Sequence, residues 1–400
     1  MPSSLTWLDS SEQEKRKMLE VIDLFREQDT RDELGLGTVR DAFADLFFPG
    51  TSTIQTRARY FLFIPWIYLD LERRRTPSRE IVSRARRAEI ALVNALVRSD
   101  HSDGTIGIEA RESLKRLPST IYWQGLGMWG IRSFGGSQDQ YHRSLDAFYA
   151  SGRHGGREAG DSDGAMSSNW HAALPSAPDD LLEKTSFKLT KAEAQYLRER
   201  IMVRAPGSLL AFLVDQGTAA TDVAFPWEHA QYGEFPTHVR EQLEHARNFS
   251  EAIHGAALLY NLMLAEKSNR KPLIEEYRKG LRQWSSGIQA HEGVLRQWEI
   301  LRFWAIVTAQ GARVTHPTRA FIDAWLSMAR SAEAAKRIAT NERARHLIHE
   351  RERQLKRTLA RLENPRALEL WGGAAGTAAL DYRWPVTQTM VSDILNGLKR

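Results

Sequence analysis

Between Thr38 and Glu72 the chain reads TVRDAFADLFFPGTSTIQTRARYFLFIPWIYLDLE, a polar and basic segment set between two strongly apolar runs. Val39, Phe43, Leu46 and Phe47 fall at i, i+4, i+7 and i+8, one face of a helix, and Asp41 and Asp45 sit one turn apart on its flank. Pro49-Gly50 stops that helix. Thr51, Ser52 and Thr53 are N-cap residue types for a second helix, expected to begin with Ile54–Arg59 and to continue into Tyr60–Ile64. Asp41, Asp45, Gln55, Arg57 and Arg59 thus lie between segments that favour burial, where a charge is costly unless it is paired or meets an ionic ligand. Two readings follow: an internal Asp–Arg network that ties helices together, or a pocket that presents carboxylates and guanidiniums to a substrate.

The remaining chain shows the same helical spacing and no alternating pattern of useful length, so the expected class is all-α, a multi-helix globular assembly. Ser11 with Glu14 is a capping box that opens a first helix. Pro65 either kinks the second helix or begins a new one. Thr76-Pro77 starts a helix within an arginine-rich run, with seven arginines between positions 73 and 87 against the one carboxylate of Glu80. This run is either a solvated face or a phosphate-binding surface. Ile106–Leu117 has a helical pattern. The segment from Ser119 to Gly130, with three glycines beside Tyr122, Trp123, Gln124 and Trp129, is poor helix material in which glycine allows close backbone approach. Residues 151–180 are rich in Gly, Ser, Asp and Pro and read as a flexible linker or lid between a helical domain over 1–150 and another over 181–400. In the latter, Thr190 with Glu193 forms a capping box, Ser208 and Pro236-Thr237 open helices, and Ser331–Asn364 suggests one long basic helix. After a glycine joint at Gly372–Gly376 come Asp381, Tyr382, Arg383 and Trp384, an ionic and aromatic cluster, with Pro385 in the first turn of a last helix.

The chain has 400 residues, of which 42% are apolar, ample for a core. It has no cysteine, which excludes disulfides, thiolate metal sites and a cysteine nucleophile. The start of the sequence lacks a signal-peptide pattern and the longest apolar run is too short to span a bilayer, so the expectation is a soluble, cytoplasmic protein with no membrane partner. A net charge of +5 gives a slight bias towards polyanions. There is no Walker loop, no dinucleotide fingerprint after a strand, no HExxH and no EF-hand, so no metal and no nucleotide cofactor is expected. The histidines show no ligand spacing.

The runs RDELGLGTVRDAFADLFFPGTSTIQTRARYFLFIPWIY, LPSTIYWQGLGMWGIR and LDYRWPV resemble a bacterial family from phage-defence loci, long described only as a domain of unknown function. Within it the chain is similar to the bacteriophage replication inhibition DNA glycosylases. That resemblance implies excision of α-glucosylated hydroxymethylcytosine from double-stranded phage DNA. Glycosidic cleavage passes through an oxocarbenium-like state that needs a carboxylate and water but no cofactor. Asp41 and Asp45 are the candidate catalytic residues, with Asp381 and Glu228 as competitors. Gln55, Arg57, Arg59, Gln124 and Arg383 are candidates to bind the extruded base, its sugar or a phosphate; Tyr60, Tyr122, Trp123 and Trp384 are candidates to stack on it. No lysine occurs in the central stretch to form a Schiff base, which favours the monofunctional, water-using route. The competing expectation is a non-catalytic helical DNA-binding or assembly protein.

Overall fold

The computed structural model describes residues 32–99, 102–158, 168–218, 222–309 and 311–400. The helix expected after Ser11 lies outside them. The described elements are α1 (Gly37–Phe47), α2 (Tyr60–Arg73), α3 (Ser78–Val97), α4 (Pro118–Met128), α5 (Gln138–Glu158), α6 (Lys191–Arg204), α7 (Leu209–Gln216) and α8 (Thr237–Lys267). They continue with α9 (Lys271–Ala290), α10 (Glu292–Gln297), α11 (Ile300–Ala309), α12 (His316–Ala329), α13 (Ala332–Lys336), α14 (Glu342–Lys356), α15 (Pro365–Glu369) and α16 (Trp384–Leu398). No strand occurs among the described residues; a single antiparallel bridge joins Arg132 to Trp170. The fold is all-α.

Two compact units divide the chain: the described part of Met1–Phe43 with Glu244–Leu380, and Ala44–Leu243 with Asp381–Arg400. The divisions fall inside α1 and α8. The 151–180 segment, read above as a linker or lid, lies within the second unit, and its described residues are structured. Helix α5 runs to Glu158, and Trp170 is buried against Tyr68, Trp123 and Tyr141.

In the second unit α2 packs on α3 and α4, α3 on α5, and α16 on α6 and α7. Local chemistry sets several boundaries as expected. Thr190 and Glu193 form a reciprocal capping box on α6, Ser208 accepts from the Ala211 amide to start α7, and Pro385 sits in the first turn of α16. Helix α2 continues through Pro65 without interruption, because every residue from Tyr60 to Tyr68 is buried and the packing offsets the lost backbone bond.

Four expectations are corrected. Residues 51–59 form turns, not the start of a helix: the Gln55 side chain takes the Ser52 amide, and Tyr122 Oη takes the amides of Thr56 and Arg57, so these donors are used up outside any helical ladder. Ile106–Leu117 is turns and one 3₁₀ turn at Arg111–Ser113, with the Ile106 amide held by Tyr60 Oη. Ser119–Met128, poor helix material by propensity, lies in α4 despite its glycines, which do allow the close backbone approach expected of them. A Cβ on Gly125 would collide with the carbonyl oxygen of Gly50, so tertiary contact overrides propensity there. The long helix over 331–364 is broken: Asn341 caps a new helix, α14, through its side chain, and Arg357, at φ 51°, ends it.

The first unit holds α9 against α13 and α12 against α13 and α14. Its core includes Phe43 stacked on Phe303 at 5.8 Å and Trp284 beside Trp325. Beneath it lies an ionic cluster. Glu33 meets Lys356 and, at 3.0 Å, Arg361, while Glu352 accepts from the amides of Arg361 and Leu362 and from Tyr260 Oη at 2.5 Å.

Candidate functional site

The structure brings together two stretches that the sequence singled out separately. Asp45, in the last turn of α1, meets Arg383 just before α16: Arg383 Nη1 donates to Asp45 Oδ1 at 2.6 Å and to the Thr51 carbonyl at 2.8 Å. The Asp45 side chain remains 60% exposed and that of Arg383 only 11%. Aromatic rings beneath them fix the geometry, Phe47 against Tyr382 and Phe48 against Trp384 at 5.8 Å. Tyr382 and Arg383 both have left-handed backbone, φ 55° and 69°. Two such non-glycine residues cost about 1–3 kcal/mol each, and they persist only where the surroundings over-determine them. Here Tyr382 is fully buried and the Arg383 amide donates to Asp381 Oδ1 at 3.0 Å.

The other expected residues have different environments. Asp41 lies in the first unit and pairs with Arg40. Gln55 is buried, accepting from Ser52 and donating to the Gly50 carbonyl. Arg57 makes a bidentate pair with Asp393, at 2.9 and 2.6 Å, which also accepts from the Ala58 amide. Arg59 is buried against Glu193 and the Ser186 carbonyl. Tyr60, Tyr122, Trp123 and Trp384 are core residues whose polar atoms are used on backbone: Trp123 Nε1 donates to the Gly136 carbonyl and Trp384 Nε1 to the Val223 carbonyl. Glu228 is turned to the Phe225 amide. In the arginine run, Arg84 pairs with Glu80, and Arg86 donates to the carbonyls of Glu112 and Leu114. Gln124 is exposed.

Two carboxylates were given no role in the sequence reading. Glu72, at the end of α2, receives Tyr141 Oη, Asn169 Nδ2 at 3.1 Å and Trp170 Nε1 at 3.0 Å, all on one oxygen, Oε1. Burial lifts its pKa against those hydrogen bonds. Glu89, on α3, is fully buried and accepts from Ser119 N at 2.8 Å and Ser119 Oγ at 2.7 Å, at the first turn of α4. The network continues through Gln138 to Tyr68 and His142. Burial, opposed by the two Ser119 bonds, pushes the Glu89 pKa up to about 7. A signal for Glu89 was present: it lies eight residues after Ile81 and three before Leu92, on the apolar face of its helix.

A cavity of about 420 Å³ opens on the same unit, lined by Gln124, Arg132, Ser133, Arg200 and Arg204 with the backbone of Gly127, Gly130 and Gly135. Arg132 and Arg200 are pre-oriented. Arg132 donates to the carbonyls of Trp123, Phe134 and Gly136, and Arg200 donates to the Trp129 carbonyl at 3.1 Å and contacts His171 Nε2 at 2.8 Å.

Among the described residues no group of three or more His, Asp or Glu is arranged to hold a metal ion, and no helix is long and apolar enough to cross a membrane. Fold and site together define an all-helical protein with a solvent-facing carboxylate set by an arginine. The chain belongs to DUF6361, a family of unknown function whose model matches residues 2–397. No curated protein and no solved structure matches it.

Proposed function

We propose that the protein is a DNA glycosylase acting on modified cytosine, α-glucosyl-hydroxymethylcytosine, in double-stranded phage DNA, working in the cytoplasm without metal or nucleotide cofactor. The observation that carries this reading is the strained Tyr382–Arg383 backbone, which aims a nearly buried guanidinium at an exposed carboxylate. Strain of this kind clusters where geometry matters for chemistry. In the proposed step the C1′–N bond breaks, its electron pair leaves with the base, water adds to C1′, and the proton it releases ends on the departing base, leaving an abasic site. Asp45 would stabilise the oxocarbenium-like sugar and orient the water, and Arg383 would hold Asp45 in place. Of the two aspartates on α1, Asp45 is preferred because its bond to Arg383, at 2.6 Å, lies within one unit. Arg57, Arg59, Tyr122, Trp123 and Trp384 would act as the framework behind the site.

The test is release of the modified base from glucosylated duplex DNA in EDTA, read by mass spectrometry. The expected outcome is a loss of at least about 100-fold for Asp45→Asn with DNA affinity unchanged, and near-normal activity for Asp41→Asn. Full activity in Asp45→Asn would remove Asp45 and turn attention to Glu72. The second reading, a non-catalytic DNA-binding protein, is favoured by the burial of every candidate stacking ring; it predicts no base release from either DNA.

A further inference from the structure

The cavity between α4 and α6 has an unusual charge make-up. Three arginines line it, and no aspartate or glutamate does. Among the described residues, no carboxylate lies within ion-pair distance of Arg132, Arg200 or Arg204, whereas Arg198, half a turn away, is paired with Asp215. The nearest partner of Arg200 is His171, whose pKa is pushed down by burial and by Arg200 itself, which favours the neutral imidazole over a further cation. Like charges held together in a partly buried site repel, and an anion between them removes that cost.

The backbone is shaped to let the guanidiniums converge. Gly130 has φ +63°, and a Cβ there would sit 2.7 Å from Arg200 Nη2 and 3.2 Å from Arg204 Cδ and Nε. Both side chains therefore lie over one bare stretch of main chain, whose left-handed backbone favours glycine. Arg200 is held by two of its nitrogens, and Arg132 is buried and committed to three carbonyls. Arg204 is exposed and makes only a long contact, 3.5 Å, to the Met128 carbonyl. This arrangement is two fixed guanidiniums and one adjustable one, with Gln124 and Ser133 as neutral hydrogen-bonding groups at the edge.

We infer that this cavity is a binding site for a phosphate group, gripped by Arg200 and Arg204 above Gly130. Planar guanidiniums match phosphate oxygens two at a time, and a site with no carboxylate selects for an anion over a neutral ligand. Assigning that phosphate to a DNA strand rests on the proposed function; the phosphate chemistry of the cavity does not.

The test uses the full chain, Arg204→Gln and Arg200→Gln/Arg204→Gln, each first checked for an unchanged helical spectrum. In one arm, fluorescence polarisation follows binding of an unmodified duplex oligonucleotide across a salt series. A strand phosphate in the cavity predicts a slope of log Kd against log salt shallower by about one for Arg204→Gln, with affinity lowered alike for all sequences. In the other arm, inorganic phosphate is added at constant ionic strength. A site for free phosphate predicts a rise in the melting temperature of the parent chain that Arg204→Gln loses. Either result supports the site. No change in either arm, even for the double variant, overturns it. Loss of the phosphate effects with base release absent in every protein would leave the cavity standing and sink only the glycosylase reading; base release with both arms unchanged would do the reverse.

Discussion

Two regions hold carboxylates by opposite means. In the first unit Glu33 and Glu352 sit among Lys356, Arg361 and Tyr260, two anions against two cations. In the second, Glu72 and Glu89 are held by neutral donors alone: a tyrosine, an asparagine and a tryptophan around one, a serine amide and hydroxyl around the other. A carboxylate matched with cations acts as a clamp. One surrounded by neutral groups at low dielectric holds its proton to higher pH, as both Glu72 and Glu89 do, with Glu89 pushed up to about 7. The difference teaches that burial alone does not set a carboxylate's proton affinity; the identity of the donors does.

The sharpest way to break this comparison is Glu33→Gln. It removes one carboxylate from a buried site that holds Lys356 and Arg361, and the transition of that unit in denaturant should fall by about 3–5 kcal/mol. A loss below about 1 kcal/mol would mean that the cluster is not an electrostatic clamp.

Next is Glu89→Gln. Its pKa is higher in the folded chain, about 7, than the ordinary 4.5, so between those values the folded state binds more protons than the unfolded one. Stability from this group therefore falls as pH rises through that window, by up to about 3 kcal/mol. Glutamine mimics the protonated acid, accepting from the Ser119 amide and donating to its hydroxyl. The variant should match the parent near pH 5 and exceed it at pH 8 in thermal melts; a variant weaker at pH 8 would show that Glu89 is ionised and favoured.

The smallest effect is expected for Glu72→Gln, because the amide oxygen can still accept from Tyr141, Asn169 and Trp170. The change should stay within about 1 kcal/mol at pH 6, measured by the same melts. A loss as large as that of Glu33→Gln would erase the distinction between the two regions.

The sequence was legible where the determinants are local. Thr190 with Glu193, Ser208 and Pro385 act on backbone groups a few residues away, and the helices they open are present. Legibility failed where a distant atom decides. Residues 51–59 are turns because Tyr122 Oη, more than sixty positions away, takes two of their amides. Helix α4 forms despite Gly125 because a carbonyl from Gly50 occupies the space a side chain would need. The Asp45 and Arg383 stretches each stood out by composition, but nothing in composition says that they meet. The guanidinium cavity was invisible for the same reason: Arg132 and Arg200 are far apart in sequence, and only the glycines of α4 and its end hint at a close approach.

The second unit is built from two pieces of sequence with all of Glu244–Leu380 between them. During synthesis Asp45 and Arg57 are made early, but their partners Arg383 and Asp393 come only after the whole intervening segment has been translated. Until then the loop at 51–59 has no ionic anchor on that side. The two ion pairs that tie the ends of this unit together can therefore form only once the last helix has been made.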